Sequence, residues 1–454
     1  MAYDVVVIGA GPAGEVLAGE LAEGGLSVAV AEEHLVGGEC SFYACMPSKA
    51  LLRPPDIRAE AGRVAGVGDP SLDVAAVLAR RDEVVHDLDD GAQVPWLERR
   101  GIALLRGHAE LAGTRRVRLN GTEVEAGRAV VLATGSLTAM PPIEGLADAR
   151  PWTNREATTA KAPPRRLIVM GGGAVGVELA HAWQSLGSQV VLIEGERHVL
   201  PNEEVFACEQ VSDALTALGV DVRTGQRAER VTREDGVVRA TLTDGSEVEG
   251  DEILVAVGRR PRAGDVGLDA AGLPPDRPVR ADAFGRVDGV DWLYAIGDLN
   301  GHAPWTHMAK AQARLAADHL LDRDPSPPPP HADGRLSPRV TFCDPQVAAV
   351  GHTTKTAERA GLDPLVIDAA TGGNAGGSFV GRGADGTTRF LVDRDRGVLI
   401  GVTFTGPEVA ESLHAATIAV AGEVPIDVLR HAVPAFPTRS EVWLELLAGY
   451  RRSG

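Results

Sequence analysis

Short unbroken apolar runs alternate along this chain with longer stretches in which Ala and Leu recur at helical spacing. Val5-Val6-Val7-Ile8 is followed by Gly9-Ala10-Gly11-Pro12-Ala13-Gly14, by an Ala/Leu-rich stretch to about Glu23, and by Val28-Ala29-Val30-Ala31. Runs apolar at every position predict strands covered on both faces, as in a parallel sheet with helices packed on it. The same texture recurs at Leu167-Ile168-Val169-Met170, a helix through Trp183, and Val190-Val191-Leu192-Ile193. Ala129–Leu132 and Trp292–Ile296 read as further buried strands, the first running into Ala133-Thr134-Gly135-Ser136 and the second ending at Asp298. The Pro-rich run Asp324–Pro330 cannot continue either element and predicts a linker. Beyond it, Arg339–Phe342 opens a last region of strand patterns and two Ala-rich helices.

The turns between these runs carry the first chemistry. Gly9, Gly11 and Gly14 stand where a strand passes into a helix, and a second strand ends at Glu32 and Glu33. Glycines there let the backbone approach a pyrophosphate, the helix amino terminus faces its negative charge, and the acid accepts from ribose hydroxyls. Gly171-Gly172-Gly173-Ala174-Val175-Gly176 repeats the turn, and Glu194 repeats the acid. Residues 9 to 32 and residues 171 to 194 are separated by the same 23 positions. Two such loops imply two dinucleotides and electron transfer between them. A carboxylate at Glu194 welcomes a free 2′-hydroxyl and repels a 2′-phosphate, which favours NAD(H) over NADP(H), although Arg197 partly offsets that repulsion.

Composition narrows the class. With 454 residues, 44% of them hydrophobic, the chain suffices for about three domains. The formal charge of −18 argues against a nucleic-acid partner. No apolar stretch reaches the roughly 20 residues of a membrane span, and the start of the chain lacks a signal-peptide pattern, so a cytoplasmic location is expected. Two of the four cysteines, Cys40 and Cys45, lie five positions apart shortly after the first nucleotide loop. In a reducing compartment such a pair is catalytic or metal-binding rather than structural. Zinc would require further ligands at suitable spacing, and none is apparent, so no metal is expected.

A disulfide relay suits the pair: it takes up the two electrons that a reduced flavin holds, and it exchanges through a mixed disulfide. Residues five apart in a regular helix are about 7.5 Å apart along the axis, whereas disulfide-bonded Cα atoms lie within about 4.4–6.8 Å. The backbone over Ser41–Ala44 is therefore expected to be tightened or irregular. Pro47 suits a first helical turn, and a thiolate at Cys45 gains from that helix dipole and from Lys49.

Two nucleotide loops, the Cys-x4-Cys segment, Pro47-Ser48-Lys49, Ala133-Thr134-Gly135 and Gly297-Asp298, in this order, resemble the flavoprotein disulfide reductases such as dihydrolipoamide dehydrogenase, glutathione reductase and mercuric reductase. The resemblance covers essentially the whole chain. It implies an α/β fold with two Rossmann-like three-layer domains, for FAD and NAD(P), and an α+β dimerisation domain. The expected boundaries are 1–150 and 266–330 for the FAD domain and linker, 151–265 for the NAD(P) domain, and 331–454 for the homodimer interface. FAD would be held by Gly9, Gly11, Pro12, Ala13, Gly14, Glu32, Glu33, Gly38, Lys49, Ala109, Thr134, Gly135, Asp298, Met308 and Ala309. The nicotinamide cofactor would be held by Gly171, Gly173, Gly176, Glu194 and Gly258. Cys40 would be the interchange thiol, Cys45 the flavin-side thiol, and Lys49 with Glu178 the ion pair beside the flavin. The implied activity is FAD-dependent, NAD(P)H-linked dithiol/disulfide oxidoreduction in either direction.

One position departs from the pattern. The family's His-Pro-Thr, whose His comes from the partner subunit as acid/base, reads Phe436-Pro437-Thr438 here, while the orienting acid remains as Glu441. A phenyl ring accepts no proton, and general acid–base help is worth about 10²–10⁴-fold. The substitution leaves open another acceptor, such as a quinone, a metal ion or another electrophile. His431, His414 and a desolvated Glu441 are the nearest alternative proton carriers in the sequence.

Overall fold

The computed structural model describes residues 2–275, 277–323 and 336–453. The expected linker at Asp324–Pro330 lies outside the described residues. The chain divides into two compact units. The described residues of 1–47, 82–137 and 259–334 form one, and those of 48–81, 138–258 and 335–454 form the other. Each contains one of the two glycine loops.

In the first unit, β1 (Ala2–Ile8), β2 (Val28–Glu32), β3 (Ala103–Arg106), β4 (Ala109–Gly113), β5 (Arg116–Leu119) and β6 (Thr122–Leu132) lie in the order β3-β2-β1-β6-β5-β4. The strand Leu293–Ala295 joins β6 in parallel. Strands β3, β2, β1 and the carboxyl-terminal half of β6 are parallel; β5 pairs antiparallel with the amino-terminal half of β6, and β4 pairs antiparallel with β5. The unbroken apolar run of β1 has a simple cause. Val5 and Val7 pack on one face with Leu17 and Leu21 of α1 (Pro12–Glu23) and the alanines of the Thr306–Leu320 helix. Val6 and Ile8 pack on the other face with Val130, Leu132 and Val287. Alternate residues thus feed two cores, and burying each such side chain is worth about 1.5–3 kcal/mol.

The helix α2 (Gly38–Phe42) is followed by a break at Tyr43, and α3 (Cys45–Arg63) begins two residues later. Residues 48–81 pack into the second unit. That unit holds a four-stranded parallel sheet, in the order Asp221–Thr224, Gln189–Glu194, Arg166–Met170, Glu252–Val255, and a three-stranded antiparallel sheet over 228–250. Its carboxyl-terminal part is a five-stranded antiparallel sheet whose core, around Phe390, Phe404 and Leu446, is covered by the helices Leu413–Ala421 and Val442–Ser453. The fold is α/β with two glycine-loop sheets and an α+β carboxyl-terminal region, as expected. Among the described residues no helix is long and apolar enough to cross a membrane.

Candidate active site

The first glycine loop is a cradle whose close approaches exclude side chains. Gly9 has φ +103°, and a Cβ there would run into the Ala133 carbonyl; a Cβ on Gly14 would run into the Gly9 carbonyl oxygen. Gly11 caps the amino terminus of α1, where Pro12 and Ala13 form the first turn. Gly38 (φ +60°) brings α2 so near that a Cβ would touch Gly11 Cα. Glu32 is locked beneath the loop: its carboxylate accepts from the Ala10 N–H at 2.7 Å and from the His34 N–H at 2.7 Å. Each oxygen keeps a second lone pair for a ribose hydroxyl.

The remaining residues expected at FAD surround the same sheet. Thr134 Oγ1 donates to the Arg262 carbonyl at 2.7 Å, and Gly135 turns the chain at φ +73°. Asp298 accepts from Ser136 Oγ at 2.5 Å, and Arg259 donates to Ser136 Oγ and to its carbonyl, both at 2.7 Å. Ala109 is buried at the head of β4, and Met308 and Ala309 are buried on the Thr306–Leu320 helix. The Glu33 carboxylate lies 2.6 Å from the Arg262 guanidinium, which also binds Asp265. The cluster Glu33, His108 and Asp265 therefore already contains a cation.

Cys40 and Cys45 belong to this unit too. Cys40 lies on α2 and Cys45 opens α3, so the irregular backbone expected between them is the break at Tyr43. Both are free cysteines, and their side chains are hydrogen-bonded to each other. That bond, burial and the neighbouring sulfur push the Cys40 thiol far above its ordinary value. Cys45 Sγ lies 3.3 Å from Thr306 Oγ1. Lys310, one turn beyond Thr306, acts electrostatically on both Cys40 and Glu15. Cys208 and Cys343 are buried, and burial raises both thiols, that of Cys208 to about 11.

The expected ion pair is made within the second unit. Lys49 Nζ lies 2.7 Å from Glu178 Oε2, and Glu178 Oε1 accepts from the Phe342 N–H at 2.9 Å. The ammonium also sits 4.7 Å from the centre of the Phe342 ring. Nearby, Asp344 donates its N–H to His181 Nδ1, and burial lowers the affinity of His181 for a second proton.

The second glycine loop repeats the first contact for contact. Gly171 has φ +105°, and a Cβ on Gly176 would strike the Gly171 carbonyl oxygen. Glu194 accepts from the Gly172 N–H at 2.6 Å and from the Glu196 N–H at 2.7 Å. Gly173 caps the helix Ala174–Ser185, and Gly258 turns the chain at φ +127°. The carboxyl-terminal signature is open to solvent: Phe436 is 77% exposed, and His414 and His431 are exposed as well. Glu441 accepts from the Gly376 N–H at 3.3 Å.

Ser136, Arg259 and Lys310 were not singled out from the sequence. For Ser136 the signal was its place after Thr134-Gly135; Arg259 and Lys310 offered none, because their partners lie far away in the chain.

The chain matches known proteins over these same parts. Residues 3–313 match the pyridine nucleotide-disulphide oxidoreductase family, and residues 337–447 match its dimerisation domain. Dihydrolipoyl dehydrogenase of Haloferax volcanii is 31% identical over 97% of this chain and 95% of its own. The enzyme of that name from Mycobacterium tuberculosis is 32% identical over 98% of both chains. The crystal structure of LpdA from Mycobacterium tuberculosis superposes with a TM-score of 0.86 at 26% identity, covering 99% of each chain. The HOCl-induced flavoprotein disulfide reductase RclA from Escherichia coli shares the fold, with a TM-score of 0.85 at 24% identity over 97% of this chain and 98% of its own. With twin dinucleotide cradles, a cysteine pair between loop and helix, and these matches, the chain belongs to the pyridine nucleotide-disulphide oxidoreductase family, as an FAD-dependent enzyme acting on sulfur groups with a nicotinamide co-substrate.

Proposed function

We propose that this enzyme passes two electrons between NADH and a small dithiol/disulfide of the dihydrolipoamide type through Cys40 and Cys45. The observation that carries the reading is that Cys40 on α2 and Cys45 at the head of α3 flank the break at Tyr43, in the unit that holds the Gly9–Gly14 cradle. FAD, held by that cradle with Glu32, Gly38, Thr134, Gly135, Asp298, Met308 and Ala309, would supply two-electron exchange between nicotinamide and the pair. Glu33, tied to Arg262, would orient that side of the cradle indirectly.

The reduced pair can reduce a substrate disulfide in two exchanges. Cys40 sulfur, as thiolate, attacks one substrate sulfur; the substrate S–S bond breaks and the first thiolate leaves. Cys45 thiolate then attacks Cys40, closing the Cys40–Cys45 disulfide and releasing the second substrate thiolate. Two electrons reach the substrate, and the two released thiolates take up, through solvent, the two protons that Cys40 and Cys45 gave up on becoming thiolates. Run backwards, the same exchanges oxidise a dithiol.

Glu194 supports NADH over NADPH. Both of its oxygens are fixed at the loop by backbone N–H groups, so the charge stands where a 2′-phosphate would come. The exposed Phe436 and the dimerisation-domain match support a homodimer in which this segment faces the substrate side of the partner's cysteine pair. There the ring removes the proton carrier and leaves Glu441 as the remaining acid.

The test uses the holoenzyme under anaerobic conditions with NADH and a panel of linear and cyclic disulfides. Cys40→Ser is expected to abolish disulfide turnover while leaving NADH bleaching of the flavin. Disulfide turnover that survives in Cys40→Ser would overturn the relay.

A further inference from the structure

A cavity of about 830 Å³ opens within the second unit, between the later turns of α3, the helices Ala174–Ser185 and Val205–Leu218, and the turn at Asp344 and Pro345. Small-molecule pockets run to roughly 300–1,000 Å³ and combine apolar walls with a few placed polar groups. Here Pro55, Leu72, Leu218 and Pro345 supply apolar wall. The placed polar group is His181, which lines the cavity although its residue is only 5% exposed. Its tautomer is fixed: the Asp344 N–H donates to Nδ1 at 3.1 Å, so the proton of the neutral ring sits on Nε2. Burial disfavours a second proton on that ring. Among the described residues no group accepts from Nε2–H, which lies on the ring edge away from Asp344 and is open to the cavity. Ser185, one turn further along the same helix, lines the same cavity, and its hydroxyl is likewise uncommitted among the described residues.

The charges around the cavity narrow what can enter. Arg58 is paired with Asp69, and Arg63 with Asp344. Asp213 and Asp385 also line the cavity, and neither has a cationic partner among the described residues. An anion would find a donor in His181 but would meet these uncompensated carboxylates, and like charges brought together oppose binding. A carbonyl oxygen accepts the same proton without bringing charge. We propose that this cavity is a binding site for an uncharged carbonyl compound with an apolar body, its oxygen accepting from His181 Nε2–H with Ser185 Oγ as a second donor. A buried N–H without an acceptor is costly, so the contact that fixes the ligand also satisfies the protein. No group of the site takes part in the cysteine relay, so the two readings fail separately.

The test titrates the FAD-loaded enzyme by isothermal calorimetry with acetophenone, a neutral aryl ketone, and with benzoate, an anion of nearly the same shape. Acetophenone should bind saturably, and benzoate about tenfold more weakly or worse. His181→Phe keeps an aromatic ring and removes the donor, and it should weaken acetophenone about tenfold, the worth of one buried hydrogen bond. That change also strands the Asp344 N–H, so a second variant leaves His181 in place. Ala214→Trp fills the cavity from the helix Val205–Leu218 and should abolish acetophenone binding, with FAD content and melting temperature as in the parent. No saturable acetophenone binding, or benzoate bound as tightly, would overturn the proposal. So would acetophenone binding that either variant leaves unchanged, since the ketone would then sit elsewhere, as in the nicotinamide site.

Discussion

Removing the Lys49 ammonium tests the energetics of the second unit directly. The Glu178 side chain is 7% exposed and, among the described residues, accepts from two groups, Lys49 Nζ at 2.7 Å and the Phe342 N–H at 2.9 Å. At an effective dielectric of 20, unit charges this close attract by about 6 kcal/mol before desolvation is counted. Lys49→Met keeps the stem and leaves the buried carboxylate with one donor. Breaking a buried pair by removing one partner costs about 3–5 kcal/mol. Lys49 is 37% exposed, so solvent already screens part of the interaction, and about 2–3 kcal/mol is expected. Loss of the ammonium over the Phe342 ring adds about 0.5–1 kcal/mol. At an unfolding entropy of about 2.1 cal/mol/K per residue, that lowers the melting temperature by about 2–4 °C if the whole chain melts together, and by more if the second unit melts alone. Circular dichroism on Lys49→Met, Glu178→Gln and the double variant measures it as a double-mutant cycle. Gln keeps an acceptor for the Phe342 N–H and buries no charge, so the double variant should be more stable than Lys49→Met. A single variant within 1 °C of the parent (on the order of the sensitivity implied above), or a double variant no more stable than Lys49→Met, would refute this reading of the pair.

Two further outcomes are expected. Burial pushes the Glu15 carboxyl up from 4.5 to about 7, with Lys310 opposing and Glu32 reinforcing the shift. A folded value above the unfolded one means that ionising Glu15 costs stability: the penalty is absent below pH 4.5, grows toward 7, and is complete above it. Glu15→Gln should thus gain about 2 kcal/mol over the parent at alkaline pH and little in acid, read as a melting-temperature difference that widens with pH; a constant difference would count against it. Phe436→His restores a proton carrier at an exposed position and should raise NADH-dependent turnover of lipoamide-type disulfides about tenfold or more. An unchanged rate, with FAD content and melting temperature intact, would show that this segment does not serve the disulfide step.

Much of the site is legible in the sequence because its parts are local. The strand, turn, helix and acid of each nucleotide loop fit within about thirty residues, and the structure closes both loops with the same pair of backbone donors on Glu32 and Glu194. The irregular backbone between Cys40 and Cys45 follows from the reach of a disulfide, and it appears as the break at Tyr43. Glu33 was less legible than Glu32. Adjacent strand-end acids look alike in sequence, and only the fold pairs Glu33 with Arg262, 229 residues away. The segment 48–81 was equally opaque, since nothing in its own pattern says which unit its apolar face will join.

By itself the sequence determined the chemistry: two dinucleotide loops, a pair of cysteines at close spacing, and a phenyl ring where the family resemblance implies an imidazole. These depend on residue type and on spacing within one element or one turn, where backbone geometry leaves few alternatives. The tertiary structure alone decided the environment of that chemistry. Thr306 meets Cys45 across 261 positions, Phe342 supplies its N–H to Glu178 across 164, and Ser136 links Asp298 to Arg259. Such meetings are set by how helices and sheets pack, and packing is a property of all the apolar faces together rather than of any one segment.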